Sequence, residues 1–319
     1  MRKVFFCLII FIFTLSCSTS KEKNSFCIVT WNSYLFFDSR DDGNEYAPFK
    51  KNLGFSDSIY QKRVKATAMM MAREFSDADV ILLQEIESNV VLLDLLDAGL
   101  KKKGFCYYGI AYDSNSVINV GYISKIKPSG ISVHGTDGCR KQLQLTFLVN
   151  GEEINVLVLH ARSRLDDMES VRYEEFSIAR SVMDAHPDSV FVVAGDFNAD
   201  PTEKEAGMSN IELVDNFDIP LILTGDRGES RDGIFFTPAL DYGESVGDGT
   251  YFHDGKWSWL DNFIFNKASF DSKGWEYCYC KILRPDEFVS VTGFPTAFDV
   301  STAKGMSDHL PLMSVLVYN

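Results

Sequence analysis

The stretch VFVVAGDFN, residues 190–198, is an apolar run that ends in a glycine and two polar side chains. Its apolar part, residues 190–194, is dominated by valine, which is typical of a strand buried in a sheet. In an extended segment, residues two apart point the same way. Asp196 and Asn198 are therefore expected to face one small volume, while Phe197 points back into the core. The stretch predicts a strand that ends at the functional edge of a packed sheet.

Four other short segments also bring a polar or acidic group to the end of an apolar run, or just before one. They are Thr30–Asn32, Leu83–Glu85, Leu159–His160 and Ser307–His309. Together they supply hard oxygen ligands and two imidazoles from separate strands. Mg²⁺-dependent cleavage of a phosphate ester needs such a set: oxygen ligands for the ion, a group that activates water, and an acid for the leaving oxygen. The pattern therefore predicts that chemistry.

The carboxylate and amide groups of this set predict a cation site. Glu85 follows the buried run Val80–Leu83, where a carboxylate is unfavourable unless it is solvated, paired or bound to a cation. Asn32 follows another buried run and would share that face. Taken alone, Glu85 could be an exposed loop residue and Asn32 a turn former. Taken together, they predict an amide oxygen and a carboxylate around one hard cation.

Histidines end or follow two of these runs. His160 closes one strand, and His309 follows Asp308 directly before the last apolar run. Asp261 lies inside the apolar run Trp259–Asn262 and needs a partner there. A histidine would serve, because the carboxylate holds one ring nitrogen and orients the other toward water. Either histidine alone could be structural, but two of five at one edge favour catalysis.

The first residues predict an exported protein. Arg2 and Lys3 precede the apolar run Val4–Leu15, which has the length of a signal peptide and is too short to span a bilayer comfortably. A small residue, Ser16, then precedes Cys17. This pattern resembles a bacterial lipoprotein processing site, at which Cys17 would become the lipidated N-terminus. An ordinary secretory signal is the alternative.

Lipid attachment would divide the chain into three parts. Residues 1–16 would be the lipoprotein signal peptide, residues 17–25 a tether, and residues 26–319 the folded domain. Removing 16 of the 319 residues leaves 303, which fits one large α/β domain, since no linker or repeat separates two cores. We expect a monomer, anchored to a membrane on the periplasmic or outer surface.

The acidic composition excludes nonspecific coating of nucleic acid. The net charge is −14 at pH 7 and becomes −16 when the two signal cations are removed, so the surface repels a polyphosphate on average. A nuclease stays compatible, because a bound divalent ion and a local basic rim can govern the site itself. The five cysteines of the folded domain cannot all pair with one another, and we expect buried free thiols.

Hydrophobic periodicity predicts interleaved strands and helices. Helices are expected at residues 59–75, 89–103 and 167–185. Strands are expected at residues 26–31, 79–83, 105–112, 119–124, 142–149, 154–159, 189–194, 257–265, 275–282 and 312–318. Residues 33–58 are typical of a polar surface loop, residues 200–255 are loop-rich, and Asn150-Gly151 is a hairpin signal. An α/β domain with mixed sheets and flanking helices fits this order.

These motifs resemble those of the endonuclease/exonuclease/phosphatase superfamily, which includes deoxyribonuclease I, exonuclease III-like enzymes, sphingomyelinases and inositol polyphosphate 5-phosphatases. The most specific matches are GDFNAD, residues 195–200, and Ser307–His309. The supporting matches are Thr30–Asn32, Gln84–Glu85, Leu159–His160 and Leu260–Asp261. The resemblance covers nearly the whole chain after the tether. It implies a four-layer α/β sandwich, in which two mixed β-sheets pack face to face with helices outside.

The resemblance also implies how the oxygen ligands are used. Asn32 and Glu85 match part of the Mg²⁺ site, and Asp308 matches an additional ligand or a carboxylate behind it. Mn²⁺ or Ca²⁺ could replace Mg²⁺. Asp196 and Asn198 match the pair that positions the nucleophilic water and the scissile phosphate.

The two histidines acquire different roles from the same resemblance. His309 matches the general base, oriented by Asp261, and His160 matches the residue that hydrogen-bonds the phosphate and acts as an acid in the deoxyribonuclease I-like branch. Asp113 is the candidate carboxylate behind His160. Asn262 departs from the family pattern, which commonly has an aromatic residue there. Exonuclease III-like repair enzymes use another residue in place of His160, so the resemblance favours the deoxyribonuclease I-like branch.

The function implied is an exported, metal-dependent phosphodiesterase, with a nuclease acting on nucleic acid as the first choice. A phospholipid phosphodiesterase similar to sphingomyelinases, or an inositol phosphate phosphatase, would use the same site. A lipid substrate would favour an exposed apolar hairpin, for which Phe235-Phe236 and Tyr251-Phe252 are candidates, although core packing is expected of both. A catalytically dead surface lipoprotein is the third alternative. It predicts the loss of site residues, and all of them are present.

Overall fold

The computed structural model describes residues 23–164, 168–214, 218–242 and 247–319, which form sixteen strands and three α-helices. The strands are β1 (Ser25–Phe36), β2 (Val80–Ile86), β3 (Tyr107–Ala111), β4 (Asn119–Ser124), β5 (Gly130–His134), β6 (Gln142–Val149), β7 (Glu152–His160), β8 (Val190–Asp196), β9 (Met208–Asn210), β10 (Leu221–Thr224), β11 (Ile234–Phe236), β12 (Tyr251–His253), β13 (Lys256–Ser258), β14 (Asp261–Phe265), β15 (Trp275–Ile282) and β16 (Leu312–Tyr318). The helices are α1 (Asp57–Glu74), α2 (Asn89–Ala98) and α3 (Glu169–Asp184). The predicted lipoprotein signal and Cys17 lie outside the described residues.

The strands form two mixed sheets and one separate hairpin. The six-stranded sheet has the order β15-β16-β1-β2-β4-β3, and the eight-stranded sheet has the order β5-β6-β7-β8-β14-β11-β10-β9. Strands β12 and β13 form a separate two-stranded hairpin, and Tyr251 of β12 also forms an isolated bridge with His309. In the larger sheet β7 and β8 are parallel, whereas β14 is antiparallel to β8. Mixed pairing of this kind confirms the predicted sheet system.

Three apolar clusters hold four layers together. The sheets face each other through residues such as Phe26, Leu82 and Val156. Helices α1 and α2 cover the outer face of the six-stranded sheet. Helix α3 covers the eight-stranded sheet, with Phe176 of the helix buried in the same cluster as Phe191 of β8. Because β8 alternates its side chains between two apolar layers, every residue of this strand is buried. The predicted four-layer sandwich is confirmed.

The elements whose bounds agree best with the sequence prediction are those that the residues of the element itself specify. Strands β15 and β16 have the predicted bounds. At the β6–β7 hairpin, Asn150 and Gly151 have φ values of 56° and 85°, the left-handed conformation that both residue types accept in a two-residue turn.

Two expected loops are more structured than their composition suggests. Residues 33–58 were expected at the surface, yet β1 continues to Phe36, and Phe37, Phe49 and Phe55 are buried against α1. Three aromatic rings outweigh the polar composition because they pack into the apolar cluster between α1 and the six-stranded sheet. The loop-rich region 200–255 contains the short strands β9 to β12, and the single strand expected at 257–265 is divided into β13 and β14.

The five cysteines of the described residues are free, but only some are buried. Cys27, Cys139 and Cys280 are buried, Cys278 is half-buried and Cys106 is exposed. The prediction of buried thiols is therefore right for three of the five. Within the described part of the chain, no helix is both long and apolar enough to cross a membrane.

Candidate active site

Strand pairing brings the predicted site residues to one edge of the sandwich. In the eight-stranded sheet, His160 of β7 lies opposite Asp196 of β8, and Asp196 lies opposite Asp261 of β14. In the six-stranded sheet, Asn32 of β1 lies opposite Gln84 of β2, next to Glu85. Since β1, β2, β7 and β8 all end here, the two sheets deliver their polar side chains to the cleft between them.

His309 and Asp261 form a buried pair. His309 Nδ1 lies 2.7 Å from Asp261 Oδ2, and the Asp261 side chain is fully buried. The other oxygen of Asp261 is buried with no hydrogen-bond partner. Burial disfavours the imidazolium, yet Asp261, Asp196 and Asp308 together raise the pKa of His309 well above its ordinary value. His309 Nε2 then faces the site, 4.0 Å from Asp196 Oδ2.

The loop that carries His309 is fixed by Ser307. The Ser307 hydroxyl donates to the carbonyl of Asn32 (2.7 Å) and accepts from the His309 backbone N–H (3.0 Å). Trp31 Nε1 donates to the His309 carbonyl at 3.3 Å. The Ser-Asp-His motif is therefore tied to the end of β1, which explains why a serine precedes the acid and the histidine.

His160 stands on the other side of the carboxylates. Its Nε2 lies 3.5 Å from Asp196 Oδ2 and 3.8 Å from Glu85 Oε1. Burial, with the nearby cations Arg140 and Arg162 and with His309, lowers the pKa of His160 well below its ordinary value. The resting imidazole is therefore neutral and offers one N–H donor. Asp113 lines the same small cleft, and its Oδ1 accepts from the backbone N–H of Asn115. Within the described part of the chain, no hydrogen bond joins Asp113 to His160.

Asn32 links the two central carboxylates. Its Nδ2 donates to Glu85 Oε1 (3.1 Å) and to Asp196 Oδ2 (2.9 Å), while its Oδ1 accepts from the Tyr34 backbone (3.0 Å). The amide oxygen predicted to bind a cation is thus turned to the backbone in this arrangement. Burial raises the pKa of Glu85, with the charge of Asp308 acting in the same direction.

The donor set fits a hard divalent cation. Glu85 and Asp308 are carboxylates close enough to repel one another, and among the described residues neither forms an ion pair with a lysine or arginine. A bound cation would relieve that repulsion. Asp196, Asp261 and His309 also approach within 4.8 Å of one another. However, the Asp261–His309 hydrogen bond already occupies His309 Nδ1, so this trio is better suited to proton transfer.

Asn198 reaches the site by a different route from the one expected. Strand β8 ends at Asp196, and the backbone of Asn198 has a left-handed conformation with φ 48°. Its backbone N–H donates to Asp196 Oδ1 (2.8 Å), and its Nδ2 donates to the Ala161 carbonyl (2.9 Å). The extended geometry assumed from the sequence is wrong here, although Phe197 does point into the core. A turn, which asparagine accepts, brings the two residues together.

Three neighbours of the site are not predicted as site residues by the sequence, although Tyr251 is named there as part of a candidate hairpin. The Tyr251 ring packs on His309 at 4.8 Å between centroids, and Tyr34 lies at the mouth near Asp308 and Glu85. Arg140 Nη1 donates to the Ala161 carbonyl at 3.1 Å, beside His160. Tyr34 lies in the bulged end of β1, Tyr251 in the short strand β12, and Arg140 in the loop before β6. A single tyrosine or arginine in such a segment matches no motif, so the sequence does not assign it to the site.

Comparisons with known proteins agree with this architecture. The sequence model of the Endonuclease/Exonuclease/phosphatase family matches residues 27–317. A search of curated proteins finds no match. A humanized TDP2 of D. rerio superposes with TM-score 0.58 at 11% identity, covering 92% of this chain and 98% of that one. D. rerio TDP2 complexed with a single-strand DNA product gives 0.56 at 11%, covering 92% and 99%.

A bacterial structure shows the same likeness. An endonuclease/exonuclease/phosphatase family protein from Bacteroides thetaiotaomicron superposes with TM-score 0.54 at 14% identity, covering 92% of this chain and 95% of that one. At such identities the structural likeness concerns the fold alone, whereas the family match extends over almost the whole described sequence. The chain belongs to the Endonuclease/Exonuclease/phosphatase family.

Proposed function

We propose that the protein is a divalent-metal-dependent phosphodiesterase that hydrolyses nucleic acid, exported and anchored through Cys17. The observation that carries the catalytic part is the buried His309–Asp261 pair, at 2.7 Å, facing Asp196 across the end of two sheets. A histidine held by a carboxylate through one nitrogen, with the other nitrogen aimed at a shared polar volume, is suited to activating water.

The side chains divide the reaction between them. His309 Nε2 takes the proton from the attacking water, while Asp261 holds the ring and stabilises the imidazolium. Asp196 and Asn198 position that water and the scissile phosphate. Glu85, Asp308 and a reoriented Asn32 would hold the cation, which when bound would polarise the phosphate oxygens and neutralise developing charge.

His160 is best suited to donating a hydrogen bond to the phosphate. Its lowered pKa leaves a neutral ring with one N–H. Transfer of a proton to the leaving oxygen would require protonation that burial opposes. The hydrogen-bonding half of the expected role therefore has the better physical support.

Nucleic acid is favoured by cations beside the phosphate position. Arg140 and Arg162 both lie close enough to His160 to lower its pKa, and Lys141 lines the same cleft as His160. In a chain of net charge −14, a local cationic group of this kind is suited to a polyanion. TDP2 of D. rerio, which shares the fold, has been solved with a single-strand DNA product.

A phospholipid substrate has weaker support. Phe235 and Phe236 are buried in the core. Tyr251 and Phe252 do lie on a hairpin next to the site, but Phe252 stacks on Phe294 at 3.7 Å. The hairpin tip is polar, with Asp254 exposed. An inositol phosphate would suit the cations equally well, and only a substrate comparison separates it from nucleic acid.

The proposed anchor agrees with a substrate outside the membrane. Strand β1 runs from Ser25 to Phe36, and Asn32 lies near its far end. The chain therefore enters the domain opposite the site, with Lys23 bonded to Asn150 at the β6–β7 hairpin. If Cys17 is lipidated, the site faces away from the attachment point. Cys17→Ser should then release the folded protein from the membrane fraction, and unchanged membrane association would contradict the anchor.

A substrate panel tests the activity directly. Plasmid DNA, RNA, sphingomyelin and inositol phosphates are incubated with the protein in Mg²⁺ and in EDTA, with an identically purified Glu85→Ala variant as the blank. We expect cleavage of nucleic acid that requires the cation and Glu85. Cleavage in EDTA, or by the variant, at the rate of the unchanged protein in Mg²⁺ would contradict the metal mechanism. Cleavage of sphingomyelin alone would show that the substrate is a phospholipid and not nucleic acid.

A further inference from the structure

The end of β1 contains an unusual bulge opposite Glu85. Pairing between β1 and β2 passes from Asn32 opposite Gln84 to Phe36 opposite Ile86, so residues 33–35 face a single residue of β2. Tyr34 and Leu35 have φ values of 54° and 45°, and Glu85 itself has φ 63°. Left-handed conformations are unfavourable for residues other than glycine. Three of them at one point require something that holds them.

The bulge determines where the Glu85 carboxylate lies. The Leu35 backbone N–H donates to Glu85 Oε2 at 2.6 Å, and Asn32 Nδ2 donates to Oε1 at 3.1 Å. The Tyr34 N–H holds Asn32 Oδ1 at 3.0 Å. An extended β1 would place none of these N–H groups in the same positions. The strained segment is thus the support on which both central ligand candidates rest.

Arg63 of α1 hydrogen-bonds to the backbone of this segment. Its Nη1 donates to the Leu35 carbonyl (2.9 Å), and its Nη2 donates to the carbonyls of Ser33 (2.9 Å) and Tyr34. All three consecutive carbonyls of the bulge are therefore bound by one guanidinium. The planar fork of arginine can reach them together, whereas the single ammonium of lysine cannot.

The guanidinium is fixed on its faces as well as on its edge. Its carbon lies 4.2 Å from the Phe36 ring centroid and 4.3 Å from that of Phe298, and the residue is 2% exposed. Among the described residues no carboxylate forms an ion pair with Arg63. Burying a charge this way is unfavourable, and an apolar side chain would fill the same space without that penalty. Packing alone therefore does not account for an arginine.

We propose that Arg63 is a positioning residue, which holds the left-handed bulge so that the Leu35 N–H and Asn32 fix the Glu85 carboxylate for a divalent cation. The inference rests on the proposed function in taking Glu85 as a cation ligand. Loss of an outer support of a ligand typically lowers metal affinity about 10–100-fold.

Direct Mn²⁺ binding tests this role without substrate. Calorimetric titration compares the full chain, Glu85→Ala, Arg63→Lys and the matched control Arg172→Lys. Arg172 is also an arginine on a helix with 2% exposure, and its Nη1 donates to the Ser163 carbonyl of the other half of the fold. We expect Arg63→Lys to bind Mn²⁺ about 10-fold more weakly, and Arg172→Lys to bind it normally even if its unfolding temperature falls equally.

A milder variant covers the case in which Arg63→Lys does not fold. Phe298→Leu removes one face of the guanidinium sandwich but keeps the charge, and it should weaken Mn²⁺ binding by a smaller factor. If the unchanged protein binds Mn²⁺ through Glu85, and the variant that folds binds it with the same affinity, the role of Arg63 is overturned.

Two further outcomes separate this role from the proposed function. If the unchanged protein shows no binding that depends on Glu85, both the metal assignment and the role of Arg63 are overturned. If Mn²⁺ binding depends on Glu85 but the protein has no phosphodiesterase activity, only the proposed function is overturned.

Discussion

The two ends of the same strands follow different rules. Where β7 begins, Asn150 and Gly151 adopt the left-handed turn that suits them, and Lys23 pairs with Asp79 at the solvent boundary. Where β1 and β2 end, Tyr34 and Glu85 adopt left-handed conformations that do not suit them. Four titratable side chains of the site are also buried at this end: His160, Asp196, Asp261 and His309.

The contrast indicates that the residues at one end of the sandwich serve mainly its stability, and that those at the other end serve mainly the chemistry of the site. Strain and buried charge persist only where the surrounding structure holds them, and such features cluster at functional sites. Substitutions at the site end should therefore change activity more than stability, and substitutions at the opposite end should do the reverse.

The largest effect is expected at His309. His309→Gln keeps a hydrogen-bonding group beside the buried Asp261 but removes the base, so turnover should fall roughly 10²–10⁴-fold. Residues that act as a proposed pair lose activity non-additively, so Asp261→Asn should lose much of the same activity, and the double variant should be no slower than His309→Gln. Nuclease rates of the four proteins, with circular dichroism to confirm folding, measure this. Additive losses would show that the two are not partners.

The pH dependence should move when Asp261 is neutralised. The carboxylates raise the pKa of His309, so the base must first lose a proton, and kcat/KM should rise as the pH rises through that raised pKa. Asp261→Asn removes one of those charges and should shift the rise to lower pH. The stability that the pair contributes is complete below the unfolded pKa of about 6.5 and is lost as the pH rises through the folded pKa. A rise that stays in place, or moves to higher pH, would contradict the pairing.

His160 should have a smaller effect than His309. A neutral donor to the phosphate stabilises the transition state without moving a proton, so His160→Ala should lose turnover roughly 10²-fold, at the low end for a positioned group. His160→Gln retains an N–H and should recover part of it. The pH dependence of the rate separates the two roles. If His160 only donates a hydrogen bond, His160→Gln should have the same pH profile as the unchanged protein. If His160 is an acid, the variant should lose one limb of that profile. Turnover of His160→Ala close to that of the unchanged protein would remove the residue from the mechanism.

Much of the site could be predicted because its residues end regular strands. Asp196, Asp261 and His160 each interrupt or close an apolar run, and pairing of adjacent strands brings them together. The bulge at Tyr34 and Leu35 could not be predicted, because neither residue favours a positive φ. That conformation depends on hydrogen bonds from Arg63, which lies about 30 residues away along the chain.

The cations near His160 should affect binding more than turnover. Arg140→Ala should raise the KM for DNA several-fold and reduce the salt slope of binding by about 1, as expected when one phosphate contact is lost. Arg73→Ala is the matched control, since Arg73 is exposed and pairs with Glu287. Binding to a non-cleaved DNA in EDTA at several salt concentrations measures both. An unchanged salt slope in Arg140→Ala would remove Arg140 from the nucleic-acid surface.

The smallest effect on activity is expected at the opposite end, where Asn150 lies. Its left-handed conformation costs alanine roughly 1–2 kcal/mol, and its side chain accepts from the Lys23 N–H (3.0 Å) and donates to the Lys23 carbonyl (2.7 Å). Asn150→Ala should therefore lower the free energy of unfolding by about that amount or slightly more. Asn150→Gly keeps the turn conformation and loses only the two hydrogen bonds, so it should be less destabilised. Urea unfolding gives both values, and nuclease rates below the unfolding transition should equal those of the unchanged protein. If Asn150→Ala instead slowed catalysis at full folding, the two ends would be coupled, and the strain at the bulge could no longer be assigned to the site end alone.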